Sequence, residues 1–306
     1  LKLTRQQQQQ ARSFIFAFAR PLEQALYALW FEGGTPEAVL ARLARFQNAD
    51  GGFGHALEPD LRTPESSAIA TTIALQILRA LNTPDHHPPV RGAIGYLLDT
   101  YDQEQQRWPI VTAAAGMAPH APWWEPDAEL SQRFGEFLAN PRAEIAGYLY
   151  EYAALVPAEL LDALGRATVD HLEQLPARME MHDLLCYVRL AETKNLPPDM
   201  RTRIMARLRP AVAATVVREA AAWEAYSLPP LAVVSTPDSP FAALFGAELE
   251  ANLDALVARQ GDDGAWSPNW SWADTFPEAW AAAERDWKGV LTLTNLRTLR
   301  SFGRLG

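Results

Sequence analysis

The sequence predicts an all-helical fold laid out in two layers, and three observations carry that prediction. Hydrophobic residues make up 48% of the 306 positions. Many are Ala and Leu while β-branched runs are rare, a balance that favours helix over sheet. Helix starts recur where Pro follows a capping residue. The segments between these marks are of two kinds, some amphipathic and others apolar or small nearly all round.

The elements follow in order. The run Gln6 to Gln10 continues into Ala11-Arg12-Ser13-Phe14 and reads as the first turns of a helix. Thr35-Pro36-Glu37, Thr63-Pro64-Glu65 and Asn140-Pro141 mark further starts. Pro at the first helical position gives up no needed N–H, the preceding side chain caps, and an early Glu suits the helix dipole. Such marks divide the chain into about a dozen segments, most of about 10 to 20 residues. Segment 37–47 sets Val39, Leu40, Leu43 and Phe46 against Arg42 and Arg45, and 248–260 repeats the pattern with Leu249, Leu253, Leu256 and Val257. Segments 66–81 and 289–302 carry apolar or small residues on nearly every side, as enclosed helices do. Outer helices facing water and inner helices enclosed by them are expected. Pro-rich passages at 83–89, 119–126 and 229–240 read as surface connections rather than linkers, so a single domain over 1–306 is expected.

Composition narrows the partners. The net charge is -10 with no basic stripe, which argues against nucleic acid and anionic membrane surfaces. No apolar stretch approaches the roughly 20 residues of a membrane span. Residues 1–10 lack the apolar core of a signal peptide. Cys186 is the only cysteine, so no intrachain disulfide forms, and a cytoplasmic location is expected.

The two amphipathic segments end alike. Gln47-x-x-Asp50-Gly51-Gly52-Phe53 matches Gln260-x-x-Asp263-Gly264-Ala265-Trp266 in spacing and residue type. A degenerate copy at 94–108 keeps the leading apolar residues and Trp108 but has lost the Gln and the Asp-Gly. A Gln at a helix end bonds backbone groups left unpaired there. Asp-Gly makes a tight turn, and the aromatic folds back over the junction. Repetition of such a corner is a repeat-architecture signal.

These residues resemble the repeat motif of the terpenoid-cyclase and protein-prenyltransferase superfamily, most closely over 38–82 and 248–302. The resemblance implies an α/α toroid of about six helical hairpins, in inner and outer layers around an apolar cavity. It implies no specific catalyst. The Asp-x-Asp-Asp acid of class II cyclases is absent, Asp262-Asp263 lacks the Asp-Asp-x-x-Asp spacing, and no Asp-x-Cys zinc pair occurs. Squalene-type cyclases have two such domains, and this chain has room for one.

The most chemically dense stretch is the loop after the first corner, His55 to Arg62. Glu58 or Asp60 as acid, tuned by His55 and with Arg62 in substrate binding, would serve acid–base catalysis. A divalent metal on His55, Glu58 and Asp60 is a second reading, although no cofactor is expected. A loop tied down by Arg62 ion pairs and Asp turn bonds is the structural alternative. The loop after the second corner carries Asn269, Trp270, Trp272 and Asp274, in a position parallel to the first, and the two loops are expected to share one rim. Trp124 joins these as a candidate ring for substrate. Aromatic faces stabilise carbocations and also stack sugars. His182 and Cys186 have metal-like spacing but lack a third ligand. They are expected at a helix edge, outside the apolar face of Met181, Leu184, Leu185 and Val188. No phosphate-binding Gly loop and no Gly-x-Ser-x-Gly elbow is present.

Three functions are compatible with these residues. One is an enzyme acting by acid–base chemistry on an isoprenoid or other apolar molecule in a central cavity. Another is a carbohydrate hydrolase or lyase using Asp60 and Asp274, which for a hydrolase should stand roughly 5 to 9.5 Å apart. The third is a non-catalytic toroid that binds a peptide or partner.

Overall fold

A computed structural model describes residues 1–306. The chain forms thirteen α-helices and no strand, only isolated bridges. In order they are α1 Arg5–Phe18, α2 Pro21–Phe31, α3 Pro36–Leu43, α4 Ala68–Ala80, α5 Pro88–Asp99, α6 Leu130–Arg133, α7 Arg142–Glu151, α8 Ala158–Gln174, α9 Met181–Ala191, α10 Pro198–Thr215, α11 Pro230–Val233, α12 Gly246–Ala258 and α13 Pro277–Ser301. No helix is long and apolar enough to cross a membrane. The chain divides into two compact units, one of Leu1–Leu43 with Val216–Gly306, the other of Ala44–Thr215.

In the first unit the polar N-terminal run is helical, as expected. A capping box starts α1, with the Thr4 hydroxyl accepting from the Gln7 amide and the Gln7 side chain accepting from the Thr4 amide. Thr35 caps α3 in the expected way, accepting from the Ala38 amide at 3.3 Å. α13 packs on α1, α2 and α12. The two chain ends pair here: the Leu3 amide donates to the Arg304 carbonyl at 2.8 Å, and the Gly306 amide to the Leu3 carbonyl at 2.9 Å. The expectation that 289–302 is enclosed is corrected. Thr294, Arg297 and Arg300 are exposed on α13, because the apolar residues there alternate with Thr and Arg.

In the second unit the most enclosed helix is α7, where every residue from Arg142 to Tyr150 is buried. It packs against α4, α8 and α9. α4 is also largely buried, as its all-round apolar sequence requires. Two helix starts differ from expectation. Thr63-Pro64-Glu65 opens no helix; α4 begins after Ser67, whose hydroxyl accepts from the Ala70 amide. At Asn140-Pro141 the cap position is Pro141, and Asn140 does not cap. Its side-chain carbonyl faces the Cys186 thiol at 3.6 Å instead.

The two corners share one pattern of hydrogen bonds. Gln47 Nε2 donates to the Gly51 carbonyl at 2.9 Å, and Gln260 Nε2 to the Gly264 carbonyl at 2.8 Å. Each Gln also reaches the backbone of a neighbouring helix, Pro89 of α5 at 3.1 Å and Gln7 of α1 at 3.0 Å. Asp50 accepts from the Gly52 amide and Asp263 from the Ala265 amide. The amides of Phe53 and Trp266 each donate to a threonine hydroxyl at 3.1 Å, Thr71 on α4 and Thr292 on α13. Gly51 and Gly264 have the same φ, +86°, and press against the backbones of Gly92 and Gln10. The degenerate copy keeps part of this. The Trp108 indole donates to the Leu97 carbonyl at 2.6 Å, as that of Trp266 does to Leu256 at 2.8 Å. A corner therefore fastens a turn to two helices at once, and the following loop is launched from a fixed point.

Candidate functional site

The loop after the first corner leaves and returns at nearly one place. Gly54 donates its amide to the Phe46 carbonyl, and Ser67 donates to Phe53. A Cβ on Gly54 would lie 2.2 Å from the Glu65 carbonyl oxygen, so only glycine lets the two ends of the loop touch. His55 and Ala56 follow with φ of 54° and 59°. Non-glycine residues rarely hold the left-handed region, and two in succession fix a sharp reversal. That reversal turns the chain inward, and Ala56 to Leu61 are all buried.

The reversal carries two carboxylates out of water. Glu58 is 5% exposed and Asp60 2%. The loop is held from its far side by the 119–121 strip, since Arg62 donates its amide to the Pro119 carbonyl and Ala121 donates to that of Asp60. The strip continues into Trp124, whose indole N–H approaches Glu58 Oε1 at 3.4 Å. Trp124 is buried and stacks on Phe134 with centroids 5.4 Å apart. Arg62 is half-buried and reaches the Pro59 carbonyl at 3.4 Å. Glu58, Asp60, Arg62 and Trp124 are thus brought into one neighbourhood of the second unit.

His55 does not join them. It is exposed, and its Nε2 meets Asn48 Oδ1 at 2.8 Å, because the positive-φ turn throws its side chain outward while the chain heads in. The expectation that it tunes the acid, or shares a metal with Glu58 and Asp60, is corrected accordingly. A histidine absent from the sequence reading stands against the loop instead. His120 is 4% exposed and forms a bridge with Leu61. Its Nδ1 donates to the Ala118 carbonyl at 2.7 Å, which directs Nε2 to Glu125 Oε2 at 3.1 Å. A ring fixed at one nitrogen presents the other for proton exchange. The signal was the Pro-rich passage 119–126, which holds His120, Trp124 and Glu125 within a few residues.

The loop after the second corner belongs to the first unit. Asn269 is exposed and donates to the Ala225 carbonyl at 2.9 Å. Trp270 meets Tyr226 and Trp287 edge to face, and buried Trp272 meets Phe276 and Trp280 in the same way. The rings form two edge-to-face groups, each with one tryptophan on α13. Asp274 is exposed in the turn that precedes α13.

A second polar cluster lies on α7 and α9. Glu144, 2% exposed, accepts from Gln76 at 2.8 Å, from the Tyr148 hydroxyl at 2.6 Å and from Arg189 at 3.0 Å. Arg79 stacks over the Tyr148 ring at 4.3 Å. Each carboxylate oxygen is served, which is how a buried charge is kept in a core. Cys186 faces this cluster and is buried, not at the helix edge expected for it; burial pushes its thiol well above the usual range. His182 pairs with Glu180 at 2.8 Å. No three His, Cys, Asp or Glu side chains gather closely enough to hold a metal ion.

Asp183, at the start of α9, has a pH consequence. Burial, and then the nearby charge of Glu180, pushes its carboxyl up from 3.8 to about 6. The folded state holds this proton more tightly than the unfolded chain does. No cost arises below about pH 4, and stability falls as pH rises towards 6, by about 2–3 kcal/mol in all. Asp183→Asn is expected to raise the denaturation midpoint above pH 6 and to leave it unchanged near pH 4. An equal shift at both pH values would show that this ionisation is not the source.

No family model, curated protein or solved structure matches the chain.

Proposed function

We propose that the chain is an α/α toroid of the terpenoid-cyclase and prenyltransferase kind, acting by acid–base chemistry on an apolar, isoprenoid-like molecule. Glu58 and Asp60 are the proton-handling groups, with His120 and Glu125 beside them. One observation carries the reading: two carboxylates of a single loop are buried, and one of them, Glu58, meets the indole of Trp124, which stacks on Phe134. Protonation of a carbon–carbon double bond breaks the acid's O–H bond, forms a C–H bond and leaves a carbocation. A shielded acid exchanges with solvent between turnovers but hands its proton to the bound substrate with water excluded, and aromatic faces stabilise the cation until a base removes a proton from it. The shared hydrogen-bond pattern of the two corners supports the toroid, since repetition of a helical corner is what such rings are built from.

The experiment is a thermal-shift screen of the whole chain with isoprenoid alcohols and diphosphates, oligosaccharides and divalent metals, joined to product analysis. Isoprenoids are expected to raise the midpoint; a ligand at a hundred times its Kd adds about 2.7 kcal/mol. Glu58→Gln and Asp60→Asn are nearly isosteric. They are expected to keep the shift while turnover falls by about a hundredfold or more. A shift confined to oligosaccharides, or full turnover by both variants, would overturn the assignment.

A further inference from the structure

Several arginines of this acidic chain have a carboxylate to face. In the first unit Arg12, Arg20, Arg218 and Arg304 each do. Arg297 and Arg300 do not. They sit one turn apart on α13, on one face of the helix, and with Trp30 and Ser301 they line a recess of about 270 Å³.

Both guanidinium groups are held in place without being neutralised. Arg297 lies over the Trp30 ring, 3.6 Å from its centroid. A guanidinium stacked on a ring is fixed in orientation, yet its N–H donors lie in its own plane and stay available. Arg300 lies over Phe31 and donates one N–H to the Trp30 carbonyl, which leaves further donors of its fork unused. Desolvation in the recess holds the Arg297 guanidinium below its usual pKa, with no acid to offset it. Two positive charges fixed side by side repel each other, and an anion between them relieves that cost. Ser301 narrows the ligand further. Its hydroxyl is spent on the Ser235 and Thr298 carbonyls, so the recess offers guanidinium N–H donors and no carboxylate. That donor set suits oxygen atoms carrying negative charge, not cations or neutral polyols.

We propose that the Trp30–Arg297–Arg300 recess is a binding site for the oxyanion group of a small molecule, a phosphate or a carboxylate. The site is separate from the Glu58 and Asp60 loop and does not depend on the activity assigned to it.

Calorimetric titration of the whole chain at low chloride, with inorganic phosphate in one arm and succinate in the other, tests this. Saturable binding at one site is expected, weakened by added salt. The stronger arm identifies the oxyanion. Arg297→Met and Arg300→Met are each expected to weaken it by about tenfold or more, whereas Arg5→Met, at an exposed arginine that does not line the recess, leaves it unchanged. Arg297→Lys keeps charge and fold but loses the planar fork, and is expected to weaken binding by about tenfold. Absence of saturable binding in both arms would overturn the proposal. So would binding unchanged in Arg297→Lys and in the double methionine variant.

Discussion

Glu144→Ala is expected to destabilise the protein by about 3 kcal/mol or more, read as a lower urea midpoint at unchanged slope. The carboxylate is the common acceptor of Gln76, Tyr148 and Arg189. Its removal leaves a cation and two neutral donors facing an apolar hole. Removing one partner of a buried ion pair costs about 3–5 kcal/mol, because the other charge stays behind unpaired. The lower end applies here, since the Arg189 side chain keeps 33% of its surface exposed and recovers some hydration. Glu144→Gln keeps an acceptor for Tyr148 and should cost less than Glu144→Ala. A loss below about 1 kcal/mol, the range of exposed pairs, would mean that water reaches the cluster and that α7 is not the closed centre of its unit.

Gly51→Ala and Gly264→Ala should each cost a similar amount, about 2–5 kcal/mol, although they lie in different units. Both residues have φ of +86°, where a Cβ costs about 1–2 kcal/mol. In both the added Cβ would stand 2.4 Å from a backbone atom, the Gly92 oxygen or the Gln10 carbonyl carbon. Neither neighbour is a flexible side chain, so relief requires a helix to move, at about 1–3 kcal/mol. Gly33 and Gly303 supply the contrast, with positive φ and open space around the missing Cβ. Alanine there should cost only the conformational part. Unfolding curves of the four variants check this, and a mild effect at Gly51 or Gly264 would break the equivalence of the corners.

Local chemistry made much of this structure legible. The Gln-x-x-Asp-Gly-x-aromatic corners declared themselves because each role is tied to one residue type at one spacing. The Gln-rich N-terminus read as helix because Thr4 and Gln7 form a local capping box. What the sequence hid depends on distant partners. α7 reads as an undistinguished segment, RAEIAGYLYE, because Arg142 and Glu144 interrupt its apolar pattern; only their partners on other helices make them core residues. Thr63-Pro64-Glu65 carries the right cap chemistry in the wrong place, since the closure of the loop at Gly54 and Ser67 delays the helix. His55 looked like the natural companion of Glu58 by sequence proximity. Two positive-φ residues separate them in space, and tertiary pairing brings His120 to the loop instead.

The central claim is that Glu58 and Asp60 deliver a proton to carbon. Incubation of the whole chain with linear polyprenes in deuterium oxide, followed by mass spectrometry of the recovered product, tests it most directly. Wild type should return product that has gained one solvent-derived deuteron on carbon and lost one proton, and the Glu58→Gln/Asp60→Asn double variant should return unlabelled starting material. Unlabelled polyprene from wild type, under conditions where the same polyprene raises its thermal midpoint, would show that the buried carboxylates bind beside this substrate without acting on it.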